Sequence, residues 1–305
     1  MTTAQQEVAV IEQGVFPDMP MNEYLALPAL SSGLCHTILS ASPLHAWTES
    51  WLSPNRKRED SSVMDIGTYA HALLLERGTD ALVVIEADDW RTKAAKEKRD
   101  QAHAEGKLPI LAHKVEEVET MVREARGFIN GDATHDPSEI AGVFGRGKPE
   151  LTITWTEGDA PCKIRPDWLT DDRSILLHYK TTKVSVQPES FSRTAINMGY
   201  DVAMAFYARP FWAGTHHLIL AQEQTAPYAC KIFGLSNAQS EIAIRKVERA
   251  LNTWAACMKS GRWPAYDGRV HYIEPTPWQM EQALQNGDID GLGYDAEIAG
   301  EGVQA

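Results

Sequence analysis

With 305 residues, 43% of them hydrophobic and 23% charged, the chain can fill the core of one large α/β domain or two modest ones and has the composition of an ordinary globular enzyme. A formal net charge of −13 excludes a general nucleic-acid coat, which would be basic, while leaving room for a narrow basic channel in an acidic body. No apolar run approaches the roughly eighteen residues a membrane span needs. The first twenty residues carry Glu7, Glu12 and Asp18 without a basic n-region, so no signal peptide is expected and the protein is expected in the cytoplasm.

In chain order, residues 1–20 lack periodicity and read as a flexible arm. Ser31 or Ser32 can cap a short helix to about Leu39, and Pro43 can open another. The basic loop "NRKRED" supplies Arg56, Lys57 and Arg58. The spacing of Met64, Thr68, Ala72 and Leu75 predicts a helix over 62–76 with those residues on one face. Lys93, Lys96, Lys98 and Arg99 lie in a polar helix over 92–106, whose plainer reading is a solvated face. Val115, Val118, Met121 and Val122 mark a helix over 112–129, stopped at Asn130-Gly131-Asp132.

The rhythm then changes to alternation. Strands are expected over 150–155, 162–169 and 174–180, joined by the turns "TEGDAP" and "TDDR". An amphipathic helix over 188–207, two strands in "HLILAQE" and "YACKIFG", and a helix capped by Ser236 follow. That last helix carries Ile242, Ile244, Val247, Leu251 and Trp254 and ends near Gly261. Consecutive strands with short turns and then a crossover helix imply an α/β fold with a mixed sheet. The final residues, 279–305, read as an acidic, disordered tail. The four cysteines lie far apart, with no metal spacing, and read as buried thiols.

Phosphodiester hydrolysis needs a metal held by hard oxygen ligands, an open coordination position and a cationic group near the attacking water. An acid at one strand end and an acid-x-Lys on the next would supply these, because residues i and i+2 of a strand face one way. Here Asp167 closes the Arg165-Pro166-Asp167 strand, and Lys180 follows thirteen residues later with His178 two positions before it. Glu150 lies on the preceding strand and His71 on the "GTYAH" helix. Singly, each has a blander reading: a packed histidine, a turn aspartate, a solvated lysine. Jointly they form a pattern.

The blocks "YLALPALSSGL", "GTYAHALLLE", "CKIRPDWL", "ILLHYKTT", "SFSRTAINMGYDVAMAFY" and "AQEQTAPYAC", in that order, resemble the exonuclease VIII (RecE-type) branch of the PD-(D/E)XK nucleases, from about Tyr24 to Trp278. The resemblance implies a restriction-endonuclease-like core with a mixed β-sheet flanked by helices and an N-terminal helical extension. It places one nuclease-like domain over 21–278, with a helical front part over 21–135 and a sheet-bearing core over 136–278. It also implies a Mg²⁺-dependent exonuclease, with Mn²⁺ as an alternative, that digests duplex DNA from its 5′ ends. The 3′ tails would pass to a RecT-like single-strand annealing partner in phage-type recombination, and a homo-oligomeric ring would enclose the DNA. His71, Asp167, His178 and the carbonyl of Tyr179 would be metal ligands, while Lys180, Glu150 and Tyr207 would be catalytic. Arg56, Lys57, Arg58 and Arg165 would contact DNA.

Two departures weaken the match. His178 replaces the family's acid, and Ala203 replaces its glutamine four residues before Tyr207. Imidazole suits Mg²⁺ poorly and Mn²⁺ or Zn²⁺ better. A catalytically inactive homologue that binds DNA ends or a recombination partner is therefore the alternative reading.

Overall fold

Helix-capping residues in the front part of the chain and alternation in the back part produce two different kinds of layer. The computed structural model describes residues 11–56, 66–211 and 214–289. They fall in two units, Met1–Ala265 and Tyr266–Ala305. In chain order the first holds β1 (Gly14–Phe16), α1 (Met21–Ala26), α2 (Ser32–Ser40), α3 (Pro43–Glu49), α4 (Ile66–Leu75), β2 (Leu82–Ile85), α5 (Lys93–Ala104), β3 (Leu108–Leu111) and α6 (Ala112–Asn130). There follow β4 (Lys148–Pro149), β5 (Thr152–Glu157), β6 (Ala160–Ile164), β7 (Trp168–Leu169), β8 (Ile175–Thr182), α7 (Pro188–Asn197), α8 (Tyr200–Ala208), β9 (His216–Glu223), β10 (Cys230–Phe233) and α9 (Asn237–Ser260). The second unit carries α10 (Pro277–Asn286), which starts in a capping box between Thr276 and Gln279.

The main sheet has the order β10-β9-β8-β7-β4. Its β8–β9 pair is parallel and its other pairs are antiparallel, so it is mixed, with α7 and α8 as the crossover. A second sheet, β1-β5-β6, is antiparallel, and β2 pairs with β3 in parallel. Side chains of β8 alternate between two cores. Leu176 packs with Phe206, Val247 and Trp254 from α8 and α9, whereas Leu177 and Tyr179 pack with Leu74, Met121 and Val122 from α4 and α6. Helices thus cover both faces of the sheet, and His178 and Lys180, in register with Leu176, face α8.

Ser31 and Ser236 cap their helices where the sequence places them, and Ser42 is a further cap. Ser31 Oγ accepts the Leu34 amide, Ser42 caps α3 ahead of Pro43, and Ser236 caps α9, which ends at left-handed Gly261. Several expectations change. Residues 14–16, assigned to a flexible arm, form an edge strand on β5. Met64 and the start of the helix expected over 62–76 lie outside the described residues. Within α4, Thr68 is exposed while Tyr69, Ala70, Ala72, Leu74 and Leu75 are buried, and Tyr69, Ala70, Leu74 and Leu75 pack into one core with α6. On α9, Ile242 and Ile244 are exposed and the buried stripe runs through Ala243, Val247, Ala250 and Trp254. The short strands β2 and β3 carry no alternation and went unread. Chain contacts divide the units after Ala265 rather than at 278, and α10 enters the stretch assigned to a disordered tail.

The helix expected over 188–207 is broken at Met198 and Gly199. Gly199 has φ +69°, and a β-carbon there would lie 2.2 Å from His36 Nδ1. Both the left-handed backbone and the ring contact demand glycine. Gly199→Ala is expected to destabilise the protein by at least about 1–3 kcal/mol, read as a lower urea midpoint at unchanged m-value. An unchanged midpoint would mean that α2 moves freely away from α8.

Candidate active site

The strand expected over 162–169 is two strands in two sheets, and the break between them makes the site. Pro166 has no amide hydrogen to continue a ladder, so β6 ends at Ile164 and β7 begins at Trp168. The intervening turn is fixed from several directions. Tyr207 Oη donates to the carbonyl of Arg165 at 3.2 Å, and the amide of Glu150 donates to the carbonyl of Asp167 at 3.2 Å. The Arg165 guanidinium donates to Thr152 Oγ1 and Met19 O, both at 2.9 Å, and to Glu150 Oε2 at 3.1 Å.

This turn aims the Asp167 carboxylate across the first residues of β8's exit. Asp167 Oδ2 accepts the Tyr179 amide at 2.8 Å and lies 3.3 Å from His71 Nε2 and 3.5 Å from Lys180 Nζ. His178 Nδ1 is 3.9 Å away, an electrostatic contact rather than a hydrogen bond. His178 and Lys180 come from the α8 face of the sheet, while His71 arrives on α4 beside the Tyr179 ring. The β8 strand itself is anchored from behind. The Tyr179 phenol donates to Gln222 Oε1, and Gln222 Nε2 donates to Met121 O at 2.8 Å and Tyr228 O at 3.1 Å.

Charge states follow from these contacts. Burial works against the Asp167 charge, but the Lys180 ammonium and the imidazoles of His178 and His71 outweigh it and hold the carboxyl well below the usual carboxylate range. Burial pushes the His178 imidazole down, opposed by Asp167, so it is neutral near pH 7. Its Nε2 is buried without a hydrogen-bond partner, and its ring stands edge-on to Tyr207 at 4.6 Å. Burial raises the Tyr207 phenol, which stays protonated.

In front of Asp167, His178 and Lys180 opens a cavity of about 230 Å³. Its other walls are Ser32, Gly33 and His36 of α2 and Ala203 and Tyr207 of α8. Ser32, Gly33 and His36 escaped the sequence reading, since nothing in their spacing links α2 to the strands 130 or more residues away. Ala203 presents only a methyl group where the resemblance expects a glutamine.

Of the expected site residues, the structure brings His71, Asp167, His178, Tyr179 and Lys180 together, with Tyr207 behind them. Glu150 lies not on a strand but between β4 and β5 with φ +51°, and it pairs with Arg165 at 3.1 Å and Arg77 at 3.9 Å. Arg165, expected at DNA, is 8% exposed and bonded to the protein itself. Its charge neutralises Glu150 and fixes the turn. Arg56 donates to Leu25 O at 3.4 Å, away from the cavity walls, and Lys57 and Arg58 lie outside the described residues.

The donor set can be tested against a cation. Among the described residues, no three His, Cys, Asp or Glu side chains form a ready-made cage. One edge is preformed: 3.3 Å between His71 Nε2 and Asp167 Oδ2 matches the roughly 3.3 Å separation of two ligands each about 2.0–2.1 Å from a tetrahedral ion. In a strand the amide and carbonyl of one residue point to the same edge, so the Tyr179 carbonyl shares the Asp167 side. One carboxylate meets the minimum for Mg²⁺, and the imidazoles favour Mn²⁺ or Zn²⁺.

Asp167 gives the protein an acid limb of known sign. Its folded pKa is depressed, so its stabilisation is complete above its unfolded pKa of about 3.9 and is lost as pH falls toward the folded value. Buried, neutral His178 adds a loss below its unfolded pKa of about 6.5. Asp167→Asn is expected to flatten unfolding free energy against pH below the unfolded carboxyl pKa of about 3.9, measured by urea titration. Parallel profiles for the two proteins would show that Asp167 is not held ionised.

Residues 35–276 match the family described as PDDEXK-like domain of unknown function (DUF3799). No curated protein matches the chain. Among solved structures, one described as "Putative exonuclease" from Eubacterium rectale superposes with a TM-score of 0.49 at 12% identity, over 83% of this chain and 92% of its own. A second, SSO0001, gives a TM-score of 0.25 at 11% identity, over 66% of this chain and 97% of its own. Likenesses at that level leave function to the site itself. The family match spans well over half of the chain, and with the mixed, helix-flanked sheet it makes the protein a member of the PDDEXK-like DUF3799 family, within the PD-(D/E)XK nuclease superfamily.

Proposed function

We propose that the protein is a metal-dependent exodeoxyribonuclease that digests duplex DNA ends 5′ to 3′ in the cytoplasm. Its 3′ tails would pass to a RecT-like annealing partner in phage-type recombination, with the chain assembled as a ring around DNA. The observation that carries the reading is one carboxylate oxygen, Asp167 Oδ2, shared by His71, Lys180 and the Tyr179 amide at the wall of an open cavity. Asp167, His71, His178 and the Tyr179 carbonyl would hold the cation, Mg²⁺ or more readily Mn²⁺. When bound, such an ion acts as a Lewis acid toward phosphoryl oxygen and acidifies water. Lys180 orients water beside Asp167 and offsets negative charge developing on phosphate. Tyr207 and the Glu150–Arg165 pair act at one remove, by holding the turn that aims Asp167. Phosphate contacts are assigned to Arg56, Lys57 and Arg58.

One observation favours a second reading, a catalytically inactive homologue that binds DNA ends or a recombination partner. Glu150 is engaged by two arginines, which leaves Asp167 as the carboxylate in the cavity wall.

Digestion of linear duplex DNA labelled at either end decides between the two. The native chain is expected to work slowly and better with Mn²⁺ than with Mg²⁺. His178→Asp with Ala203→Gln is expected to raise the Mg²⁺ rate at least about tenfold, roughly 1.4 kcal/mol of barrier. If both proteins are inert with both metals, the binding reading stands.

Binding is tested separately. Charge reversal at residues 56–58 is expected to weaken duplex binding and to reduce the slope of log K against log salt by about 0.9 for each phosphate no longer neutralised. An unchanged slope would remove this loop from the interface.

A further inference from the structure

The second unit, Tyr266–Ala305, carries an apolar stretch that lies in water. From Val270 to Thr276 the backbone has neither helix, turn nor ladder partner among the described residues. Val270 is exposed there, and Tyr272 and Ile273 are 83% and 99% exposed. Valine, tyrosine and isoleucine favour strands, and Pro275 and Pro277 push the residues before them out of helical conformation. Both ends of the stretch are fixed. At the first, Asp267 Oδ1 accepts the Arg269 amide at 3.1 Å and lies 3.1 Å from His271 Nε2. At the second, extended Thr276 caps α10, which buries none of its residues and leaves Trp278 64% exposed and Leu284 exposed. An unpaired strand offers its amides and carbonyls to another chain, and contiguous exposed apolar side chains mark a surface that something covers.

We propose that this stretch joins two copies of the chain, residues 270–274 of each pairing antiparallel about Tyr272. A two-fold axis perpendicular to a sheet keeps every side chain on its own face, so a self-paired strand must set one residue opposite its own copy. Centring on Tyr272 makes an aromatic cross-strand pair there. It sets His271 opposite Ile273 and Val270 opposite Glu274, so no like charges face each other. At each end of the ribbon Arg269 of one copy then lies beside Glu274 of the other, which places opposite charges together twice. Centring on His271 instead would oppose two imidazoles. A bare two-stranded ribbon is marginal in water, and Trp278 and Leu284 supply further apolar cover. Aromatic side chains present about 150–250 Å² each, so Val270, Tyr272, Ile273, Trp278 and Leu284 offer on the order of 500 Å² per copy. A pair then buries about 1,000 Å², the size at which specific interfaces begin. The contact does not rest on the nuclease reading, and a ring closed by other surfaces would not require it.

Sedimentation velocity of the full-length protein over a concentration series, without DNA or metal, tests the contact independently of any catalysis. The native chain is expected as a dimer or an even-numbered assembly. Tyr272→Asp and Tyr272→Lys each put like charges face to face on the two-fold axis. Each is expected to weaken association at least about tenfold and so to halve the mass at concentrations where the native protein is paired. Tyr272 lies in water, so both variants are expected to keep the native urea midpoint. An equimolar mixture of the two variants is expected to recover the native mass, because opposite charges then meet at the axis. That recovery separates self-pairing at residue 272 from a merely damaged surface. A native monomer, whose exposed stretch would then serve a different protein, overturns the proposal. So does an odd-numbered assembly, an unchanged mass in either variant, or a mixture that stays dissociated.

Discussion

The Asp167 carboxylate can sit where it does because Pro166 prevents β6 from continuing into β7. Without that interruption the segment would be one strand in one sheet, and Asp167 would alternate to a face without reaching β8's backbone. With it, the chain changes sheets, and the carboxylate takes the place of a ladder acceptor for the Tyr179 amide. The cost of burying this charge is met by the groups that surround it, since Lys180 and two histidines face the same oxygen. Removing one partner from such a cluster leaves the others uncompensated, so the site is cooperative by construction. Arg165 and Tyr207 then serve as fasteners of the turn, which explains why a guanidinium one would assign to DNA is buried against Glu150 and Thr152.

Much of this was legible from residues. Ser31 and Ser236 announce their helices because a hydroxyl before an apolar run satisfies backbone donors locally, and Pro43 announces its own because a fixed φ suits a first helical turn. The mixed sheet follows from three strands with short turns before a crossover. The grouping of His71, Asp167, His178 and Lys180 followed from strand alternation and from the family resemblance together. What stayed hidden depends on distant contacts. Gly199 breaks a helix that periodicity alone would run on, and its reason is the His36 ring from a helix more than 160 residues earlier. Glu150 looked like a strand acid, but its left-handed backbone and two arginine partners come from tertiary structure.

The departures at positions 178 and 203 have different physical consequences. His178 keeps a lone-pair donor near Asp167 where a carboxylate would add a negative charge, so under the proposed function it would shift which cation the site tolerates. Ala203 removes a hydrogen-bonding group from the α8 wall and puts nothing polar in its place. Under the proposed function the first would be a change of chemistry and the second a loss of positioning, and both residues line the same cavity.

The Gln222 amide joins three pieces of structure at once: the β8 phenol of Tyr179, the α6 carbonyl of Met121 and the carbonyl of Tyr228 before β10. Three partners for one fully buried side chain leave little freedom to slide. The sheet wall that carries Asp167 and Lys180 therefore behaves as a stiff anvil clamped to the α6 layer. The opposing wall, from α2, meets α8 through the His36–Gly199 contact and a hydrogen bond between the Ser32 and Tyr207 side chains. Any widening of the cavity should accordingly leave the sheet wall in place, with slow amide exchange persisting in β8 and β9.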